Sequence, residues 1–130
     1  MDLKQLDTKE KSNEGVWMDV LYPSTGEPTG LRLKLAGIDS DLFAEFSRER
    51  SKKAVQSAAG GGKKEEGENY TAELLAHLTI DWENAEMNGD NLECTRANAQ
   101  MVYETIPIVR RQANRFIMQE RNFLSESPGS

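Results

Sequence analysis

Two short apolar segments near the start of the chain place the strongest constraint on its fold. Residues 16–22 are rich in β-branched and aromatic side chains, which favour an extended strand. Residues 31–35 alternate leucine with basic residues, which indicates a half-buried strand with three inward leucines, Leu31, Leu33 and Leu35. Residues 23–30 hold two prolines and two glycines and predict a loop. Because a lone hairpin is marginal in water, the rest of the chain must cover it.

A helix and a linker are expected after the hairpin. Asp39 or Ser40 can cap a helix over residues 40–59, which contain no proline and no glycine. Residues 60–68 begin with three consecutive glycines followed by charged residues, a composition typical of a flexible linker. We therefore expect weak order in this linker.

The C-terminal half, residues 69–124, predicts further helices around a leucine core. Leu74, Leu75 and Leu78 follow helical spacing, and Trp82 comes one turn later. Thr95 can cap a helix through about Tyr103, and a proline at position 107 either interrupts the pattern or starts the next helix. These four apolar residues and the hairpin leucines are the expected structural core.

The expected fold class is therefore α+β and mainly α, with an N-terminal hairpin (residues 16–36) packed on a small bundle of about four helices. The chain has 130 residues, which fits one domain, placed here at residues 16–124. Residues 1–15 and 125–130 carry little apolar content and are expected to be disordered tails. The polar residues 1–15 also predict no signal peptide, and no apolar stretch approaches the length of a membrane helix.

Several residues could carry chemistry, but none has a suitable partner in sequence. His77 lies among leucines without a nearby nucleophile or carboxylate motif, and we expect it to be a partly exposed helix residue. Cys94 has acidic neighbours that raise a thiol pKa, which favours a structural role. Residues 84–95 match a calcium loop poorly, and residues 60–64 lack the frame of a phosphate-binding loop. The sequence predicts no enzyme activity, no metal and no cofactor.

The distribution of charge along the chain indicates which classes of partner it can bind. The net charge is −6, which disfavours nucleic acid. Residues 48–64 hold six basic residues against one acid, residues 65–93 hold nine acids and no lysine or arginine, and residues 94–123 hold five arginines against two acids. These segments either neutralise each other within one fold or guide copies of the protein together.

The order of short motifs in the C-terminal half resembles the tail assembly chaperones of long-tailed bacteriophages with non-contractile tails. The similar features are a tryptophan segment with a glycine turn (residues 80–89), a capped helix (94–103), a proline before a basic helix (107–116) and Arg-Asn-Phe-Leu at 121–124. The strand pair and Gly-Ile-Asp-Ser-Asp at residues 37–41 agree more loosely.

This resemblance implies a helical protein that binds the phage tape measure protein before tail tube protein polymerises around it. It also implies self-association as a ring or spiral, location in the host bacterial cytoplasm, absence from the mature virion and, in many relatives, a longer frameshifted product. One alternative is another phage structural protein, such as a head–tail joining or tail-completion protein. A second alternative is a small nucleic-acid-binding regulator that uses the C-terminal arginines.

From residue 108 the apolar residues form a helical stripe: Val109, Ala113, Phe116, Ile117, Phe123 and Leu124. Either all of this stripe packs on the leucine core and Trp82, or its end stays exposed and serves as the surface for self-association or tape measure binding. An aromatic side chain beside an arginine is the usual composition of an interface hot spot, and the end of the stripe provides one. The acidic residues 65–93 of a neighbouring copy could receive the arginines. The expected interaction residues are Val109, Arg110, Arg111, Arg115, Phe116, Arg121, Phe123 and Leu124.

Overall fold

The predicted hairpin forms and gains a third strand in the computed structural model, which describes residues 1–60 and 68–124. Strands β1 (Val16–Leu21) and β2 (Pro28–Leu35) pair antiparallel, with Met18 opposite Leu33. Strand β3 (Thr79–Glu83) pairs antiparallel with the other edge of β2 and places Trp82 opposite Leu33. The three-stranded sheet has the order β1-β2-β3.

The third strand adds β-structure to residues 69–124, for which the sequence predicted helices. Only Trp82 of β3 is buried, so the strand carries too few apolar residues for a strong local signal. The β2 residues that pair with β3 lie about 50 positions earlier in the chain, and no local pattern reveals a contact over that separation.

Five α-helices and two 3₁₀ turns complete the mixed α/β fold of the described residues. Helices α3 and α4 pack on each other, and α5 contacts both of them as well as β1 and β2. The helices are α1 (Lys9–Glu14), α2 (Asp41–Gly60), α3 (Glu68–Leu78), α4 (Arg96–Thr105) and α5 (Pro107–Ile117); the 3₁₀ turns are Leu3–Leu6 and Glu120–Phe123, and a short hairpin joins β4 (Glu86–Met87) to β5 (Asp90–Asn91).

The predicted core residues lie in the interior. Each is buried except Leu31, which is half-buried and packs against the same cluster; they are Leu31, Leu33, Leu35, Leu74, Leu75, Leu78 and Trp82. The Trp82 indole Nε1 donates to the Leu92 carbonyl at 2.8 Å, which satisfies its polar atom beside the core.

The expected helix caps are also present. Ser40 Oγ accepts from the Phe43 amide at 3.1 Å at the start of α2, and Thr95 Oγ1 accepts from the Asn98 amide at 3.1 Å at the start of α4. Pro107 occupies the first turn of α5, where its missing amide proton is not needed.

The N-terminal segment differs from the expected disorder. Helix α1 docks on the start of α2: Asn13 Oδ1 accepts from the Asp41 amide at 2.8 Å, and the Thr8 hydroxyl bonds to the Asp39 carboxylate. Ser12 is buried, and its carbonyl accepts from the Gly37 amide at 3.1 Å. Polar tertiary contacts rather than apolar content therefore order α1, which is why composition predicted otherwise.

Two expected elements fall on parts of the chain that are not described. The expected linker at 60–68 lies outside the described residues except for its ends, which belong to α2 and α3. The expected tail at 125–130 also lies outside them. Within residues 1–60 and 68–124, no helix combines the length and apolar character needed to cross a membrane.

Candidate protein-interaction surface

The C-terminal stripe does not continue as one helix. Helix α5 ends at Ile117, and the chain folds back so that Phe123 is only 2% exposed. The Phe123 ring packs edge-on against Phe116, with centroids 5.7 Å apart, and Leu124 is half-buried. The expected exposed patch at Phe123 and Leu124 is therefore wrong. Helix α1 packs against this C-terminal turn and helps to cover it.

The predicted arginines separate into two groups. Arg110 is buried, and its Nη1 donates to the Tyr103 carbonyl at 2.8 Å, so it joins α5 to the end of α4. Val109 is buried as well and belongs to the core. Both residues are buried, contrary to expectation. The exposed arginines are Arg111, Arg115 and Arg121.

Two of these arginines line an open groove of about 500 Å³, which we call the α5 groove. Arg111 and Arg115 lie on its α5 side together with Phe116. The other lining residues come from β1, the β1–β2 loop, the remainder of α5 and the chain just after it; they are Met18, Asp19, Leu21, Tyr22, Pro23, Gly26, Ile108, Gln112 and Gln119. The α5 groove thus brings together three of the eight predicted interaction residues, and a fourth, Val109, lines the groove beside it.

A second groove of about 350 Å³ opens beside the first and is mainly apolar. It lies between the β1–β2 loop, the β4–β5 hairpin and the junction of α4 with α5. The two grooves share Leu21, Tyr22, Pro23 and Ile108. We call the two grooves with these shared residues the corner surface.

The corner surface exposes large apolar side chains. Tyr22 is 53% exposed, Ile108 39% and Leu21 37%. Neighbouring exposed apolar side chains favour a protein interaction site, whereas scattered single ones need no explanation.

Gln112 holds this surface in shape. The Leu21 amide donates to Gln112 Oε1 at 2.9 Å, and Gln112 Nε2 donates to the Leu21 carbonyl at 2.8 Å. The side-chain amide thus pairs with the end of edge strand β1 as a neighbouring strand would. The Tyr22 amide in turn donates to the Glu27 carbonyl at 2.8 Å, which closes the loop. A preformed surface loses little conformational entropy on binding.

Sequence reasoning missed Leu21, Tyr22 and Ile108. Ile108 stands next to the buried stripe of Val109, Ala113 and Ile117 but outside its helical spacing. An apolar residue outside the buried face of an amphipathic helix was the available signal. No comparable signal marked Leu21 and Tyr22, because their place beside α5 depends on tertiary packing.

The prediction that His77 is partly exposed is wrong, because this side chain is buried. Its Nε2 has no hydrogen-bond partner among the described residues, and the nearest carboxylate oxygen, Glu45 Oε2, is 4.0 Å away. Burial lowers the pKa of His77 below its ordinary value, and the positive charge of Arg96 lowers it further, while Glu45 and Glu49 oppose this shift.

The stability of the protein is expected to fall as pH decreases below about 6.5, the ordinary histidine value. Because the pKa of His77 is lower in the folded state, the unfolded state binds the proton more readily in this range. His77 is the single histidine of the chain, so His77→Leu should flatten the slope of unfolding free energy between about pH 7 and pH 5.5. Urea unfolding at several pH values measures this slope; equal slopes in both proteins would contradict the assignment.

Cys94 is half-buried, and residues 84–89 contain a tight turn. Burial raises the pKa of the half-buried Cys94 thiol, and the charge of Asp81 adds to this, so the thiolate is disfavoured. Asn88 and Gly89 adopt left-handed φ values of 55° and 88° and form the tight turn between β4 and β5. The described residues contain no cluster of three or more histidine, cysteine or acidic side chains able to hold a metal.

No protein-family model, no curated protein and no solved structure matches this chain. The class that the fold and the surface define is a small mixed α/β protein with a preformed apolar surface edged by arginine.

Proposed function

We propose that this protein is a phage tail assembly chaperone that binds the tape measure protein, keeps it soluble and promotes tail tube polymerisation around it. The observation that carries the proposal is the corner surface, where Leu21, Tyr22 and Ile108 are exposed together on a preformed scaffold. The motif order in residues 80–124 supplies the link to this class of protein.

The physical requirements of such a chaperone agree with this surface. A tape measure protein is long, helical and apolar, and it would aggregate if left bare. Its chaperone needs exposed apolar grooves of modest affinity, used in many copies along one filament. Modest affinity at each site then allows displacement by tail tube protein.

Other parts of the proposal rest on the same resemblance. They are self-association into a ring or spiral, action in the host bacterial cytoplasm and absence from the mature virion. The finer arrangement, an N-terminal hairpin packed on a bundle of about four helices, is likewise part of the proposal.

Replacement of Ile108 by aspartate is expected to abolish solubilisation of a co-expressed tape measure protein, because it places a charge in the centre of the corner surface. Ile80→Asp is a matched control: Ile80 is also 39% exposed but lies on β3, outside both grooves. The measurement is the soluble fraction of the tape measure protein with each variant, after thermal melts confirm that both variants fold.

Retention of solubilisation by Ile108→Asp, or equal loss in Ile80→Asp, would contradict the proposal. A head–tail joining or tail-completion protein would instead remain in purified virions, which mass spectrometry detects. A nucleic-acid-binding regulator would retard the migration of DNA or RNA in a gel. This retardation would depend on Arg111 and Arg115 and would be insensitive to Ile108→Asp.

A further inference from the structure

We propose that the segment bound in the α5 groove is an amphipathic helix that carries carboxylates one helical turn apart beside its apolar face. This inference rests on the proposed function and specifies the chemistry of the partner. It follows from the spacing of two arginines, from the apolar side chains next to them and from the charges around the groove.

Arg111 and Arg115 are four residues apart on α5, so they project from the same side of the helix. Their positions differ by roughly 6 Å along the axis, or about one turn. Both are exposed, and neither forms an ion pair with another described residue. A helix lying along α5 would meet both guanidinium groups with two acidic residues spaced by three or four positions.

The groove beside these arginines suits the apolar face of such a helix. Tyr22 and Ile108 form its exposed edge, while Met18 and Phe116 lie deeper. Helices bound in grooves insert apolar anchors spaced by three or four residues, and aromatic and arginine side chains dominate the energy of such interfaces. The groove therefore fits a helix with one apolar face and one acidic flank.

The charges around the groove select against a basic segment. Among the described residues, Asp19 is the single carboxylate that lines it, and Asp19 Oδ1 already lies 3.2 Å from Arg32 Nε. The chain as a whole has a net charge of −6, which repels an acidic partner at long range. Physiological salt screens this repulsion beyond about 8 Å, whereas charges in direct contact are screened less. Local pairing with Arg111 and Arg115 thus decides the preference.

Binding of designed helical peptides tests the inference. The first peptide, of about 18 residues, carries a leucine stripe with two glutamates one turn apart on its flank. The second has lysines in place of these glutamates. The third carries the two glutamates on the face opposite the leucines. Fluorescence anisotropy should show roughly tenfold tighter binding of the first peptide than of the other two, the scale of two exposed ion pairs.

Charge reversal in the protein provides the complementary test. The double variant R111E/R115E should prefer the lysine peptide, whereas Arg121→Glu should behave as wild type. Arg121 is a matched control because it is exposed and lies outside both grooves. Equal binding of all three peptides to the wild type, or an unchanged preference in the double variant, would overturn the inference.

Two further outcomes separate this inference from the proposed function. If R111E/R115E still solubilises the tape measure protein while Ile108→Asp does not, the chaperone role stands and the acidic helix is wrong. If sedimentation shows that the chain self-associates and that R111E/R115E abolishes this, the groove receives a second copy and the inference is also overturned.

Discussion

Replacing Phe123 with alanine is expected to lower the free energy of unfolding by about 3 to 4 kcal/mol. The Phe123 ring is 2% exposed and packs on Phe116, and a Cβ atom added at Gly37 would come within 3.0 Å of it. Removal of this ring leaves a cavity where the C-terminal turn meets α1, and the rigid surroundings can close it only partly. Urea unfolding monitored by circular dichroism measures the loss.

Hydrogen exchange adds a second observation for Phe123→Ala, because the amides of α1 should lose protection along with those of the turn. Arg121→Ala is the control, since Arg121 is exposed in the same 3₁₀ turn and its truncation should change stability by less than about 0.5 kcal/mol. A Phe123→Ala protein with wild-type stability and impaired self-association would show instead that Phe123 belongs to an interface between copies.

Replacement of Tyr103 with alanine is expected to cost about 4 kcal/mol, the second large effect. Tyr103 is 0% exposed and lies where α4 meets the start of β3. Its hydroxyl lies 2.6 Å from Thr79 Oγ1, and the Thr79 hydroxyl donates to the Leu75 carbonyl at 2.7 Å. Because Thr79 has one hydroxyl proton, Tyr103 must be the donor in their shared bond.

Tyr103→Phe separates the hydrogen bond from the packing. This variant keeps the ring, and Thr79 retains its bond to Leu75, so the expected loss is about 1 kcal/mol. A double-mutant cycle with Thr79→Val measures the coupling between the two hydroxyls. Equal destabilisation by Tyr103→Phe and Tyr103→Ala would contradict a packing role for the ring.

The sequence placed the expected interaction residues between positions 109 and 124, and the structure divides them. Arg111, Arg115 and Phe116 line the α5 groove, whereas Val109, Arg110 and Phe123 are buried. A hydrophobic stripe shows that a helix has an apolar side, but it does not show how much of that side its own chain covers.

Local sequence determined the features that depend on neighbours in the chain. The alternation in residues 31–35 placed Leu33 and Leu35 inward, because successive side chains of a strand point to opposite faces. Ser40 and Thr95 cap the starts of α2 and α4, because their side-chain oxygens accept hydrogen bonds from free amides in the first turn. Each of these features involves atoms within a few residues, so a pattern in the sequence records it.

Tertiary structure alone decided the features that join distant segments. Strand β3 forms because β2 offers it a free edge, α1 is ordered by the start of α2, and Phe123 is buried by the same N-terminal helix. The corner surface has the same origin, since Gln112 on α5 fixes Leu21 at a separation of 91 residues. Contacts of this kind depend on the path of the whole backbone, and no local periodicity encodes them.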